Sequence, residues 1–370
     1  MKKVGILTFH AACNYGAFLQ AFSMQKVLNS RKNISCEIID YVCPPIENNY
    51  KLTSELRKSG NIVKKIAKCI LRMPAIIRRN KAFREARNDL HMTSERVYKS
   101  DTKALEKLYD LFIVGSDQVW NYELTGGDET YFLSFVNDQK KKSSYAVSLG
   151  SDKLQGDVSH MVELIRSFSN ICIREKSALE SLEKETGRDD IECCLDPVFL
   201  TSRNDWLKYA ENSDIKKSES YILVFAMGSG DRSKNMVKFA YDLAKKTGKK
   251  LLYLSDQDRF YKYRDIKHIK KAAPKDFVKL IADADYVVTN SFHATAFSII
   301  LHTPFYTETD IKRSSRVTDI LSLTGLSGQG LYKGKLMEKS GDIDWERSDK
   351  ALSNEIKHSY DYLEKILYEQ

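Results

Sequence analysis

The segment VTNSFHATAFSII (287–299) places His293 where an apolar strand gives way to a helix. Asn290 or Ser291 can cap that helix, because a side-chain oxygen accepts from the free N–H groups of the first turn. Those N–H groups and the helix dipole attract anions and oppose an imidazolium. A bound phosphate reverses the second effect, so the pairing suits an anionic ligand that takes a proton or a hydrogen bond from histidine. The competing arrangement is a core histidine bonded to a neighbour.

Three more segments carry residues of chemical interest. FIVGSDQVWN (112–121) ends an apolar run at Gly115 and continues with Ser116, Asp117, Gln118 and Trp120. A carboxylate, an amide and an indole face suit a polyhydroxylated ligand, with Asp117 binding sugar hydroxyls or taking a proton from one. Asp117 capping a turn and Trp120 packed in the core is the alternative. FHAACNYGAFLQAF (9–22) presents His10, Cys13, Asn14, Tyr15 and Gly16 between the first strand and a helix. This is a usual ligand loop, but it has neither the dinucleotide glycine pattern nor a P-loop. Gly16 allows close backbone approach, and His10 with Cys13 makes a nucleophilic pair only if folding joins them. In NICIREKSALE (170–180), Arg174 ends a strand and can grip a carboxylate or phosphate bidentately, or form an ion pair between elements.

These residues need strands to end beside one another. Short β-branched runs alternate with amphipathic stretches almost throughout: VGILTF, CEIIDY, DLFIVG, SSYAVSL, NICIRE and DIECCLD, with helical patterns such as 15–29, 158–168 and 176–186 among them. The pattern restarts after the polar NSDIKKSES (212–220) with YILVFAM, KLLYLS, a proline-led helix at 274–282, DYVVT, the His293 helix and PFY. That rhythm predicts an α/β fold of two Rossmann-like, doubly wound domains facing a cleft, with ligands at the carboxyl ends of the strands. The expected units are 1–212 with a basic helical insertion at about 47–105, then 213–345, then a helix in 346–370 that crosses back to the first domain.

Composition narrows the function. Apolar residues make up 42% of 370, enough for two cores, and no apolar run approaches the ~20 residues that span a bilayer. MKKVGILTFH reads as a first strand rather than a signal peptide. The seven cysteines are scattered, without CxxC or HxxxH spacing, which fits a reduced, cytoplasmic, soluble protein that needs no metal. The net charge of +9 is concentrated: residues 51–88 hold twelve Lys/Arg against Glu55 and Glu85. Within them NIVKKIAKCILRMPAIIRR (61–79) puts Ile62, Val63, Ile66, Ala67, Ile70 and Leu71 on one stripe, with Lys64, Lys65, Lys68 and Arg72 off it and Pro74 expected to interrupt the helix. Such a helix either lies on an anionic membrane or packs on the first domain with its basic face in water. Aromatic residues are too sparse there for nucleic acid.

Taken together, GILTFH…CNYGAFLQAF, FIVGSDQVWN, YFLSF, SYAVSLG, CIREKSALE, LDPVFL, DADYVVTNSFHATAFSIIL and TPF, in this order, resemble the polysaccharide pyruvyl transferase family. The resemblance implies a GT-B-like fold, with the first domain on the acceptor side and the second on the donor side. It implies transfer of pyruvate from phosphoenolpyruvate to two hydroxyls of one sugar, forming a cyclic ketal and releasing phosphate. The sugar would belong to a surface polysaccharide, a cell-wall polymer or a lipid-linked repeat unit. No cofactor is implied beyond the donor substrate. His293 matches the family's histidine after a second-domain strand, and Arg174 matches the arginine of its R-E dipeptide. Some members carry an arginine where this chain has Ser291, so the missing charge is expected from Lys312, Arg313 or Arg316. The expected roles are His293 as acid or phosphate ligand, Arg174 on the donor anion and Asp117 as acceptor binder or base. Substrate contacts are expected at Asn14, Tyr15, Gly16, Ser116, Gln118, Trp120, Asn290, Ser291, Arg313 and Arg316. The expected location is cytoplasmic, at the inner face of the cell membrane if the basic segment docks there. The alternatives are a glycosyltransferase of the same fold with a nucleotide-sugar donor, and a non-enzymatic membrane-docking scaffold.

Overall fold

The structure is a computed structural model that describes residues 1–57, 61–216, 219–228, 230–255, 265–309, 316–338 and 341–369. Its first sheet contains β1 (Lys2–Leu7), β2 (Ile34–Ile38), β3 (Leu111–Val114) and β4 (Lys142–Ser144) in the order β2-β1-β3-β4, all parallel. Single parallel bridges, Ser143 with Asn170 and Val147 with Ile173, carry this sheet on to the short pair β5 (Cys172–Ile173) and β6 (Glu192–Cys193). A central strand such as β3 is apolar and buried at every position, as expected where helices cover both faces.

Among the described residues the second sheet has seven strands. They are β7 (Tyr221–Ala226), β8 (Lys250–Ser255), β9 (Ile266–His268), β10 (Tyr286–Thr289), β11 (Phe305–Glu308), β12 (Gly330–Tyr332) and β13 (Lys335–Leu336), in the order β13-β12-β11-β10-β7-β8-β9. Among the described residues only the β12–β13 pair is antiparallel. Two parallel, helix-covered sheets give two Rossmann-like lobes, and the crossover that parallel pairing demands is supplied by the helices between strands.

One apolar core runs through both lobes. Tyr15 from the first lobe stacks on Phe277 of the second, centroids 4.7 Å apart and nearly coplanar at 4°, and its hydroxyl donates to the Ala272 carbonyl at 3.2 Å. The C-terminal helix (Trp345–Tyr368) fastens the other side. From it Tyr362 donates to the Ser144 carbonyl at 2.8 Å, and Ser359 Oγ accepts from the Leu195 amide at 3.1 Å. The lobes are therefore held in register where they meet at the site.

The basic insertion differs from its sequence pattern in one respect. Pro74 does not interrupt it: the helix runs continuously over Ile62–Ala86. Proline leaves the carbonyl four residues earlier without a partner. That residue, Ile70, is exposed, so water can take the place of the lost bond.

Candidate functional site

The central residues of the site follow strands' carboxyl ends. β1 leads to Gly16, β3 to Asp117, β5 to Arg174, β6 to Asp196 and β10 to His293. Arg174 is placed by its backbone N–H, which donates to the Val147 carbonyl at 2.9 Å. Asp196 is fixed by Pro197, which starts a short 3-10 turn, and by the Val198 amide, which donates to its Oδ1 at 3.1 Å. His293 opens the helix Phe292–Leu301, capped by Ser291, whose Oγ accepts from the Ala294 amide at 3.4 Å.

Folding brings His293 of the second lobe against two residues of the first. Its Nε2 lies 3.4 Å from Asp196 Oδ2, and when the ring is protonated the two form an ion pair. Its Nδ1 edge presses on Gly16 so closely that a Cβ there would stand 1.9 Å from it. The glycine is required for this approach rather than for backbone conformation. The imidazole side chain keeps 10% of its surface accessible, so it lies between lobes and is not sealed inside one.

Asp196 is the centre of the cluster, and its side chain is wholly buried. Arg174 Nη1 donates to its Oδ2 at 2.5 Å, and Ser116 Oγ reaches the same oxygen at 3.4 Å. Burial pushes the Asp196 carboxyl up, but the charges of His293 and Arg174 and the Val198 amide prevail and hold it well below the usual carboxylate range. Burial likewise opposes the charge on Arg174, and the carboxylates of Asp196, Glu175 and Asp117 more than offset it. Arg174 Nη2 is 3.8 Å from Asp117 Oδ1, and its guanidinium sits 5.1 Å from the Phe292 ring centroid.

Arg316 approaches the same ring at 5.7 Å, with its Nε 3.7 Å from Glu175 Oε1. Burial, and then the charge of Arg174, pull its affinity for a proton down. Glu175 also accepts from Ser148 Oγ. Arg174, Asp196, Phe292 and Arg316 line a cavity of ≈ 370 Å³ together with Lys176 and His358. Among the described residues several buried polar atoms at this centre have no hydrogen-bond partner: Arg174 Nε and Nη2, Glu175 Oε2, and His293 Nε2, which faces Asp196 Oδ2 at 3.4 Å. Such groups cost about 1–3 kcal/mol each when unsatisfied, which water or a ligand relieves by supplying partners.

The remaining expected residues divide into two groups. Asp117 joins the cluster on its edge, part-exposed, in the left-handed backbone region at φ 70°, with its Oδ1 accepting from the Gln118 amide at 2.8 Å. Gln118 Oε1 accepts from Asn121 at 2.8 Å and is half-buried. Ser116 is fully buried beside Asp196. Asn14 caps the helix Tyr15–Asn29 through the Ala17 amide. Three expected substrate contacts are structural instead. Trp120 is core, stacked on Phe132 at 5.5 Å, with its Nε1–H donating to the Tyr131 carbonyl, and presents no face to a sugar. Tyr15 is used up in lobe-to-lobe stacking. Asn290 ties β10 to β7, accepting from the Met227 amide at 2.7 Å and donating to its carbonyl at 2.9 Å. Arg313, with Lys312, lies outside the described residues. His10 and Cys13 form no pair: the imidazole bridges the Thr8 carbonyl and Asp40, while the thiol donates to Asn80 Oδ1 and is pushed up by burial.

Asp196 and Glu175 were not among the expected site residues. The only local hint for Asp196 was the Asp-Pro step after an apolar strand.

A sequence model of the family described as polysaccharide pyruvyl transferase matches residues 14–307. No curated protein matches the chain. Among solved structures the chain is similar to the UDP-GlcNAc 2-epimerase of Methanocaldococcus jannaschii, in complex with UDP-GlcNAc and UDP, at 15% identity and a TM-score of 0.52, covering 96% of this chain and 93% of that one. It is similar to the same enzyme from Neisseria meningitidis, bound to UDP-GlcNAc, at 12% identity and a TM-score of 0.50, covering 99% and 94%. A further UDP-N-acetylglucosamine 2-epimerase aligns at 10% identity and a TM-score of 0.53, covering 100% and 96%. At such identities the likeness is one of fold, the two-lobed GT-B arrangement, and not of chemistry.

Proposed function

The chain belongs to the polysaccharide pyruvyl transferase family, and from that premise we propose that it moves the pyruvyl group of phosphoenolpyruvate onto two hydroxyls of one sugar unit, closing a ketal and releasing phosphate. The observation that carries the proposal is the inter-lobe cluster, where, among the described residues, two buried nitrogens of Arg174 have no acceptor and His293 Nε2 faces only Asp196 Oδ2 at 3.4 Å. An anion with a carboxylate and a phosphate supplies acceptors of the right kind.

The reaction balances without a redox partner. A proton adds to the donor's methylene carbon, and positive charge develops on the adjoining carbon. One sugar hydroxyl attacks that carbon, the bond to the phosphate oxygen breaks, and the second hydroxyl closes the ring. Of the two hydroxyl protons, one replaces the proton placed on the methyl group and the other leaves with phosphate. His293 is assigned the proton donation or the phosphate contact, and Arg174 with Arg316 the donor's anionic groups. Asp117, on the exposed edge, is assigned the acceptor hydroxyl. Asp196 acts through its neighbours: it orients His293 and Arg174.

Charge sets a further requirement. Two guanidiniums face three carboxylates, Asp117, Glu175 and Asp196, whereas the donor brings a carboxylate plus about −1.5 to −2 on phosphate. More cations are needed. Lys176 lines the cavity, and Lys312 and Arg313 precede Arg316 in sequence. The reaction is placed in the cytoplasm, with a sugar unit of a surface polymer or a lipid-linked precursor as acceptor.

The test is incubation of the full chain with phosphoenolpyruvate and a panel of free, nitrophenyl and lipid-linked sugars. Ketal formation by mass, matched one-to-one by phosphate, supports the proposal. Turnover of a nucleotide sugar with release of nucleoside diphosphate, and no ketal, replaces it with glycosyl transfer.

A further inference from the structure

The N-terminal half of the Ile62–Ala86 helix packs on the 3-10 segment Leu52–Arg57, with Lys65 Nζ donating to the Leu56 carbonyl at 2.9 Å, and leaves an apolar face exposed. Fourteen large apolar side chains are exposed among the described residues, and seven belong to this helix. Scattered exposed apolar groups are ordinary, but a concentration on one helix is not. Ile62, Ile66, Ile70, Met73 and Ile77 follow one another at steps of three and four, which puts them on one face. Val63 and Leu71 extend the apolar surface and are 70% and 81% exposed.

The helix's buried side chains lie in its second half. Ile76, Ala82, Phe83 and Ala86 are buried, and Phe83 sits 5.2 Å from the Tyr15 ring. Asn80 accepts from Cys13, and Arg87 Nη2 donates to the Ala11 carbonyl at 2.5 Å, so the anchor grips the loop that leads to Gly16.

Charge selects the occupant. Between 61 and 84 there are eight basic residues and no acidic one. A second copy of this face would bring like charges together. An apolar stripe with cations beside it matches a surface that offers acyl chains beneath phosphates. No helix among the described residues is long and apolar enough to cross a membrane, so the contact is peripheral. We propose that residues 61–78 lie in the interface of an anionic lipid bilayer, the isoleucine stripe inserted and the exposed Lys64, Lys68 and Arg78 at lipid phosphates. This stands apart from the reaction assigned to the cleft.

The experiment is flotation of the full chain with vesicles of phosphatidylcholine and phosphatidylglycerol at roughly two to one. Binding is expected at low salt and falls as salt rises, because screening shortens the reach of each cation. Each cation near an anionic surface contributes about fivefold, so the combined Lys64→Gln, Lys68→Gln and Arg78→Gln variant should bind about a hundredfold more weakly. Its thermal melt should match the parent, since all three side chains are exposed. In an Ile70→Trp variant the indole emission should shift to the blue on vesicles and be quenched by brominated lipid. No flotation at low salt, flotation unchanged in the triple variant, or an indole that stays solvent-like on bound protein each overturns the proposal.

Discussion

Alanine at Gly16 separates the site's geometry from the protein's stability. A Cβ at this position meets His293 Nδ1 at 1.9 Å, Cγ at 2.3 Å and Cε1 at 2.4 Å, whereas ordinary contact begins near 3.4 Å. The ring therefore has to retreat by about 1.5 Å, and a misplacement of about 1 Å at a reacting group can cost 10²-fold in rate. The backbone gives no objection, because Gly16 lies in the first turn of a helix. Alanine gains about 1 kcal/mol of helix propensity there, set against about 1–3 kcal/mol for forcing a packed ring aside. The two nearly cancel. Thermal unfolding should therefore move by only a few degrees, while phosphate release from phosphoenolpyruvate falls about a hundredfold or more. Gly16→Ala with near-parental turnover would show that His293 does not need its observed place, and the mechanism built on it would fall.

Asp196→Asn should destabilise the protein by about 3 kcal/mol, measured by urea unfolding, because it breaks a buried pair and leaves Arg174 undercompensated. The Asp196 carboxyl is depressed in the folded state. Its contribution should therefore be complete above the unfolded value of about 4 and lost only as pH falls below it towards the folded value. The stability gap between the parent and the Asp196→Asn variant should be flat from neutral pH down to about 5 and narrow only in stronger acid. Arg316→Met should raise the KM for phosphoenolpyruvate about tenfold to a hundredfold, the loss of one charged hydrogen bond, and leave kcat much less affected. An unchanged KM removes Arg316 from the donor site. Trp120→Phe should cost about 1–3 kcal/mol through the orphaned Tyr131 carbonyl and leave the acceptor KM unchanged; a large rise in that KM would return Trp120 to the sugar.

The strands and helices were legible because their signals are local. The helix at 15–29 and the strand at 250–255 fall where apolar period and loop composition place them. His293 and Arg174 stood out because a titratable group at a strand's end has few structural uses. What was not legible depends on contacts between distant segments. An indole that binds a sugar and an indole that packs in a core look alike in sequence, so Trp120 could not be assigned without its partner Phe132. Tyr15 likewise needed Phe277, more than two hundred and fifty residues away, to show that it joins lobes. Asp196 sits in LDPVFL, a segment with no chemical signature of its own. Its role exists only because Arg174 and His293 arrive from two lobes. The continuity of the helix through Pro74 depended on whether the freed carbonyl faces water, which spacing does not tell.

The central claim is that the donor anion binds where the two lobes join, on Arg174 and His293. A crystal structure of the full chain with phosphoenolpyruvate tests it most directly. The account predicts donor density within hydrogen-bond distance of Arg174 Nη2 or Nε and of His293 Nε2, atoms without a hydrogen bond among the described residues. Donor bound elsewhere in the cleft, with those three nitrogens still unengaged, would contradict it.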